Sequence, residues 1–98
     1  MTDYNKEENV IFIGAKPLMN YVTGVVMQFT TQKATEVKIT SRGKFISKCV
    51  DVVEVAMKKF LKELNIKVKE IKIDSQEFEN KEGKKVTVST MDIVLKKG

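Results

Sequence analysis

The residues best suited to chemistry in this sequence are positively charged side chains in two short turns. Lys16 directly precedes Pro17, and Arg42-Gly43-Lys44 interrupts a segment of alternating polar and apolar residues. Arg42 is the only arginine among 18 basic residues, and its guanidinium group matches phosphate oxygens better than a lysine ammonium does. The two turns predict contacts with phosphate groups, although solvated loops would have the same composition.

Each turn leads into a predicted helix, whose first N–H groups and positive dipole end attract anions. Lys16 adds a full positive charge where the first helix begins, at or near Pro17. Gly43 lets the backbone approach a ligand closely or adopt a positive φ. Lys48 follows Lys44 by one helical turn and shares its side of the second helix. The four residues predict a second phosphate-contacting turn like the first.

The sequence contains little that could support catalysis. It has no histidine and a single cysteine, Cys49, which removes the commonest general base and excludes an internal disulfide and a multi-cysteine zinc site. We therefore expect a protein that is not an enzyme and that holds no metal and no cofactor. Cys49 lies among valines and is predicted to be a small buried residue.

Length and composition predict one small domain inside the cell. The 98 residues carry a net charge of +5 and include 42% hydrophobic residues, which fits a single globular domain over residues 1–98. Residues 1–8 are polar and acidic, predict a flexible tail and contain no secretory signal. No apolar run is long enough to span a membrane, so we expect a cytoplasmic protein without a membrane partner.

Hydrophobic periodicity predicts the element order β-α-β-α-β-β. The predicted strands cover residues 10–13, 35–40, 68–73 and 86–95, and the predicted helices begin at Pro17 and Ile46, the second ending near Asn65. A change of parity between Val68 and Ile71 suggests a β-bulge, and a similar change follows Val88. Phe12, Phe29 and Phe45 are expected in the core.

This order favours an α+β fold with two layers: a mixed four-stranded sheet, both helices on one face, and a protruding β-hairpin arm. If the first two strands are parallel, both turns leave the same end of the sheet. Lys16 would then lie beside Arg42 and Lys44. The other face of the sheet and the arm would remain exposed or be available to a second subunit.

The tip of the predicted arm is rich in charge but nearly neutral. Three lysines are offset by three glutamates there, so the tip is either a binding arm or simply a soluble turn. Asn80 could contact a nucleic-acid groove or backbone. The basic and acidic residues are Lys81, Lys84, Lys85, Glu77, Glu79 and Glu82.

Three motifs in order, over about residues 9–97, resemble the Alba family of archaeal chromatin and RNA-associated proteins. The first surrounds Lys16, the second surrounds Arg42, and the third lies in the last strand. They read Val10-Ile11-Phe12-Ile13-Gly14 with Lys16-Pro17-Leu18-Met19-Asn20-Tyr21, Ser41-Arg42-Gly43-Lys44 with Ile46-Ser47-Lys48 and Val50-Asp51-Val52-Val53-Glu54, and Val88-Ser89-Thr90-Met91-Asp92-Ile93.

The resemblance implies a homodimer whose two arms reach along double-stranded DNA, with little sequence preference and in association with the chromosome. It supports a nucleic-acid-binding role for Lys16, Arg42, Gly43, Lys44, Lys48, Asn80, Lys81, Lys84 and Lys85. Family members often have two lysines before the proline, and the first is the acetylated one in some. Here Ala15 stands in that place, so only Lys16 remains as a possible modification site.

Phe60 has two interpretations. Its spacing from Met57 and Leu64 fits the core, yet it follows two lysines, and Leu61 could make the core contact instead. The resemblance implies that a phenylalanine here helps neighbouring dimers pack side by side along DNA, possibly giving higher assemblies. For the whole protein the alternatives are an RNA-binding protein or accessory subunit of a ribonucleoprotein, an enzyme, and a protein–protein adaptor.

Overall fold

The computed structural model describes residues 4–5 and 9–98, and it has the predicted order of elements. A two-residue strand at Tyr4–Asn5 precedes them. The elements are β1 (Tyr4–Asn5), β2 (Val10–Phe12), α1 (Leu18–Thr30), β3 (Glu36–Arg42), a 3-10 turn (Gly43–Phe45), α2 (Ile46–Val55), a π-helical turn (Ala56–Phe60), a 3-10 turn (Lys62–Leu64), β4 (Ile66–Glu79) and β5 (Lys85–Lys97).

The described strands form one mixed sheet in the order β1-β2-β3-β5-β4. β2 and β3 are parallel, whereas β3 with β5 and β4 with β5 are antiparallel. The four strands predicted from the sequence are confirmed, and β1 adds a short antiparallel edge. Of the predicted tail, residues 1–3 and 6–8 lie outside the described residues, while Tyr4 and Asn5 pair with β2.

Both helices cover one face of the sheet, as predicted, and the core lies between the two layers. Ile11, Ile39 and Ile93 form one row across the strands, and all three are buried. Full burial of each such side chain contributes about 1.5–3 kcal/mol relative to exposure. The buried helix residues are Tyr21, Val22, Val25, Gln28 and Phe29 of α1, and Cys49, Val52 and Val53 of α2, followed by Ala56.

Two core assignments from the sequence are wrong. Phe12 alternates with Ile11 and Ile13 along β2, so its ring points to the sheet face without helices, here called the open face. Val50 is exposed because the neighbouring Cys49 and Val53 contact the sheet instead. Burial raises the pKa of the Cys49 thiol, as expected for a small core residue.

Regular α-helix ends at Val55, about ten residues before the predicted end near Asn65. The chain continues in helical turns as far as Leu64, and Asn65 then adopts a left-handed conformation with φ 56° that ends them. Within these turns Leu61 is buried while Phe60 is 52% exposed. The core therefore takes Leu61 and leaves the aromatic ring of Phe60 in solvent.

The last two strands extend beyond the sheet as the predicted arm. β3 pairs with β5 only as far as Arg42 opposite Thr90. From Ser75 to Ser89 the two strands therefore pair with each other alone, and this segment (75–89) is the arm. The predicted bulge is confirmed between Val68 and Glu70.

The helices leave part of their own side of the sheet uncovered. Val68, Ile71 and Ile73 of β4 lie on the helix side, yet Ile71 is 58% and Ile73 73% exposed. We call these three residues the apolar strip. Val50 of α2 is a further exposed apolar residue. In the described part of the chain, no helix is long and apolar enough to cross a membrane.

Candidate nucleic-acid interface

The turns that follow β2 and β3 lie side by side at one end of the sheet. The two strands are parallel neighbours, and the N–H of Ile13 donates to the carbonyl of Thr40 across 2.9 Å. Lys16 lies in the first turn and Arg42, Gly43 and Lys44 lie at the second. These four residues, here called the loop cluster, are all exposed, which is the convergence that the sequence predicted.

Tyr21 and Lys48 hold the first turn in place. The hydroxyl oxygen of Tyr21 accepts hydrogen bonds from the N–H groups of Gly14, at 3.0 Å, and Lys16, at 3.1 Å. The ammonium of Lys48 donates to the carbonyl of Gly14 at 2.8 Å and also to that of Lys16, and it lies 5.2 Å from the centre of the Tyr21 ring. One buried phenol and one ammonium thus fix the backbone that carries Lys16.

Lys48 therefore has a different environment from the one that the sequence suggested. It was predicted to be a phosphate-contacting lysine of α2, but its ammonium is bonded to backbone carbonyls of the neighbouring turn. Its charge still adds to the positive field of the loop cluster. The residue acts first on the position of Lys16, because it joins the β2–α1 turn to the first turn of α2.

Arg42 is the last residue of β3 and not part of the turn itself. Pairing with Thr90 keeps it extended, and its side chain lies over the open face, where one guanidinium nitrogen donates to Oε1 of Gln76 across 3.0 Å. That hydrogen bond uses one of the five N–H donors of a guanidinium group. The remaining donors can bind a phosphate without loss of this contact.

The turn itself begins at Gly43 and has the positive φ that the sequence predicted, 58°. A side chain at this position would be strained by that φ, and its Cβ would lie 3.5 Å from Val88 of the arm. Gly43 thus lets the second turn pass close to the base of the arm. The ammonium of Lys44 lies 5.4 Å from the centre of the Phe45 ring, which restrains that side chain.

At the tip of the arm, Asn80 shapes the turn. Its side-chain oxygen accepts hydrogen bonds from the N–H groups of Glu82, at 2.9 Å, and Lys84, at 3.0 Å. Gly83 completes the turn with φ 79°. Lys81, Lys84 and Lys85 are all exposed around it. Asn80 thus orients the tip, a local role that the sequence prediction of a nucleic-acid contact did not include.

The open face carries a groove of about 510 Å³ that the sequence analysis missed. It lies between the loop cluster and β4. The alternation of residues 36–42 did contain a signal, because it places Thr40 and Arg42 on the same polar face of β3. The groove is lined by Phe12, Ile13, Thr40, Ser41, Arg42, Lys72, Asp74, Gln76, Thr90 and Asp92.

Among the described residues, no group of three or more histidine, cysteine, aspartate or glutamate side chains could hold a metal ion. The acidic residues near the interface have other partners. Asp92 accepts a 2.5 Å hydrogen bond from the hydroxyl of Thr40, and it lies 3.8 Å from the ammonium of Lys38. The site is an array of fixed charges and hydrogen-bonding groups around one exposed aromatic ring.

Comparison with known proteins gives a consistent result across sequence and structure. The sequence model of the Alba family matches residues 9–75. The chain is 41% identical to the DNA/RNA-binding protein Alba of Methanococcus maripaludis over 90% of this chain and 97% of that protein. It is 45% identical to the DNA/RNA-binding protein Alba of Thermoplasma acidophilum, over 91% of this chain and 96% of that one.

The fold agrees with the sequence comparison. The structure of Alba from Thermoplasma volcanium superimposes with a TM-score of 0.81 at 42% identity, covering 90% of this chain and 99% of that one. The motifs around Lys16 and Arg42 fall within the matched residues 9–75. The chain therefore belongs to the Alba family.

Proposed function

We propose that this protein is a non-enzymatic homodimer that coats double-stranded DNA of the chromosome with little sequence preference. The observation that carries the proposal is the loop cluster, where Lys16, Arg42 and Lys44 stand exposed on two adjacent turns. Charges on rigid turns contact phosphates, which every DNA sequence presents alike. The relatives compared above are named DNA/RNA-binding proteins.

The arm supplies a second contact at a distance from the first. It leaves the sheet where β3 ends at Arg42, so its base adjoins the loop cluster while its tip carries Lys81, Lys84 and Lys85. A two-stranded ribbon is narrow enough to enter a DNA groove. With Asn80 holding the turn, the three lysines can follow the phosphates along the groove edge.

The proposed dimer would bury the apolar strip. Ile71 and Ile73 are exposed on the helix side of β4, where water contact is unfavourable. A two-fold interface uses the same patch on both subunits, so the strip of one protomer would pack against its counterpart and against Val50 of α2. Two loop clusters would then act on one duplex.

RNA is the second candidate partner, alone or as part of a ribonucleoprotein. The names of the relatives include RNA, and phosphate contacts from the loop cluster do not distinguish the two polymers. The exposed ring of Phe12 beside that cluster favours an additional RNA role, because aromatic rings on open sheets stack on unpaired bases.

Salt titration tests the proposed function. Binding to two unrelated duplexes of equal length should be equally strong, and log K should fall linearly with log salt by about 0.9 for each phosphate contacted. Arg42→Ala should weaken binding and reduce that slope by about 0.9 per lost contact, and Arg42→Lys should recover only part of the loss because the fork is gone. Fluorescence anisotropy at several salt concentrations measures all three proteins.

Lys33 provides the matched control for the loss of one charge. It lies between α1 and β3, at the opposite end of the sheet, and has φ 60°, which asparagine tolerates. Lys33→Asn should bind as the wild type does, and all variants should melt within about 0.5 kcal/mol of it because the side chains are exposed. Salt-independent binding, or equal losses in the Arg42 and Lys33 variants, would refute the loop cluster as the interface.

Phe60 is proposed to join neighbouring dimers on DNA. Its exposed ring lines a small apolar groove with Met19, Val22, Thr23 and Val26 of α1. Phe60→Ala should therefore cost well under the roughly 3–5 kcal/mol of a core phenylalanine. Affinity for a duplex that holds one dimer should stay unchanged, whereas cooperativity on a long duplex should fall.

Two measurements separate this role from a core role. Thermal melting reports stability, and binding isotherms on short and long duplexes report cooperativity. Phe60→Leu serves as the comparison, because it keeps an apolar side chain and should retain part of the cooperativity. A large drop in melting temperature together with unchanged cooperativity would contradict the proposed contact.

A further inference from the structure

The groove on the open face has a defined arrangement of side chains. Phe12, Thr40, Asp92 and Lys72 occupy one row across β2, β3, β5 and β4. Arg42 lies two residues beyond Thr40 on the same face, next to the loop cluster. The groove therefore begins at an aromatic ring, ends at a lysine, and opens at one end onto the charged turns.

Phe12 is the most unusual member of this row. It is 55% exposed although it belongs to a strand whose other residues, Val10 and Ile11, are buried. Its ring lies among polar and charged side chains and lines the groove. An exposed aromatic ring on a sheet surface offers a flat apolar face on which a nucleobase can stack.

The polar groups of the groove suit the edge of a base better than they suit a phosphate. The positive charges of Arg42 and Lys72 are balanced by Asp74 and Asp92, which also line the groove. A second phosphate there would meet two carboxylates at close range. Carboxylate and amide oxygens instead accept hydrogen bonds from the amino and imino groups of a base.

We propose that this groove binds one unpaired base of a single-stranded nucleic acid, stacked on Phe12, while the adjoining backbone lies on the loop cluster. This inference rests on the proposed function only in that the loop cluster binds phosphates. A duplex keeps its bases stacked and cannot present a base face to Phe12. The groove thus gives the protein a way to bind single strands that its duplex-binding surface lacks.

Paired variants at Phe12 test the proposal. Phe12→Leu removes the aromatic face but keeps an apolar side chain, and Phe12→Tyr keeps the face. Affinity for a single-stranded oligouridine should fall about tenfold in the leucine variant, the scale of one lost base stack, and stay within about twofold in the tyrosine variant. Duplex affinity should stay within about twofold in both.

Two ligands complete the design. An abasic strand of equal length and charge should bind the wild type and the leucine variant equally, because it has no base to stack. A strand with a single 2-aminopurine should lose fluorescence on binding the wild-type protein, since stacking quenches this base. This second readout needs no variant, so it decides the question even if Phe12→Leu melts at a lower temperature.

The possible results separate this inference from the proposed function. Single-strand affinity that is equal in the wild type and the leucine variant, or a 2-aminopurine signal unchanged on binding, would overturn the groove as a base site while duplex binding stands. Binding of neither duplex nor single strand by the wild type would refute the proposed function itself, and the base site with it. A loss confined to the leucine variant and to strands with bases would establish the site.

Discussion

Replacing Ile71 and Ile73 together by aspartate should convert the proposed homodimer into folded monomers. Burying one isoleucine contributes about 1.5–3 kcal/mol, and a two-fold interface would bury both residues twice. Four lost contacts and four added carboxylates should raise the dimer dissociation constant at least about a thousandfold. Because both side chains are exposed within the protomer, the substitutions create no cavity in the core.

Sedimentation equilibrium at several protein concentrations measures the dissociation constant, and circular dichroism confirms the fold. Asn20→Asp combined with Thr23→Asp is the matched control, because it adds the same charge to exposed positions of α1. That control should sediment as the wild type does. A dimeric Ile71/Ile73 variant would show that the apolar strip is not the interface, and a monomeric wild type would show that the dimer does not form.

Replacing Gln28 by methionine should stabilise the protein. Gln28 is fully buried in α1, and neither its side-chain oxygen nor its nitrogen has a hydrogen-bond partner among the described residues. A buried amide without partners costs about 1–3 kcal/mol. Methionine is apolar, unbranched and flexible enough to fit the same space, so the free energy of unfolding should rise by about that amount.

Thermal melting at one fixed protein concentration tests this, with roughly 4–8 °C expected for each kcal/mol in a domain of this size. Gln32→Met is the control, because Gln32 is only partly buried and its amide reaches water. The control should change stability by no more than about 0.5 kcal/mol. A lower melting temperature for Gln28→Met would mean that the amide has partners in the assembled protein.

The elements that periodicity predicted well are those with one buried face. Residues 35–40 alternate strictly and form most of β3, and the change of parity after Val68 marks a real bulge. The similar change after Val88 corresponds to no shift in the pairing of β5 as described. There the strand leaves the sheet, so its apolar residues no longer need to face the helices.

The interface was predictable in its charges and not in its details. Parallel pairing of β2 and β3 followed from the element order, and it brought Lys16 beside Arg42 as expected. The sequence could not indicate that Lys48 would bind carbonyls, because this depends on how α2 sits against the first turn. Phe12 was assigned to the core for its residue type, although alternation with Ile11 and Ile13 already placed it on the other face.

The link through Lys48 has a consequence for how this sequence tolerates change. One ammonium holds the carbonyls of Gly14 and Lys16, so the side chain at position 16 acts from a backbone that position 48 maintains. Effects of substitutions at residues in contact are generally not additive. Positions 16 and 48 are therefore epistatic: a replacement at Lys48 alters the value of any residue at position 16, and the two must vary together for the loop cluster to keep its geometry.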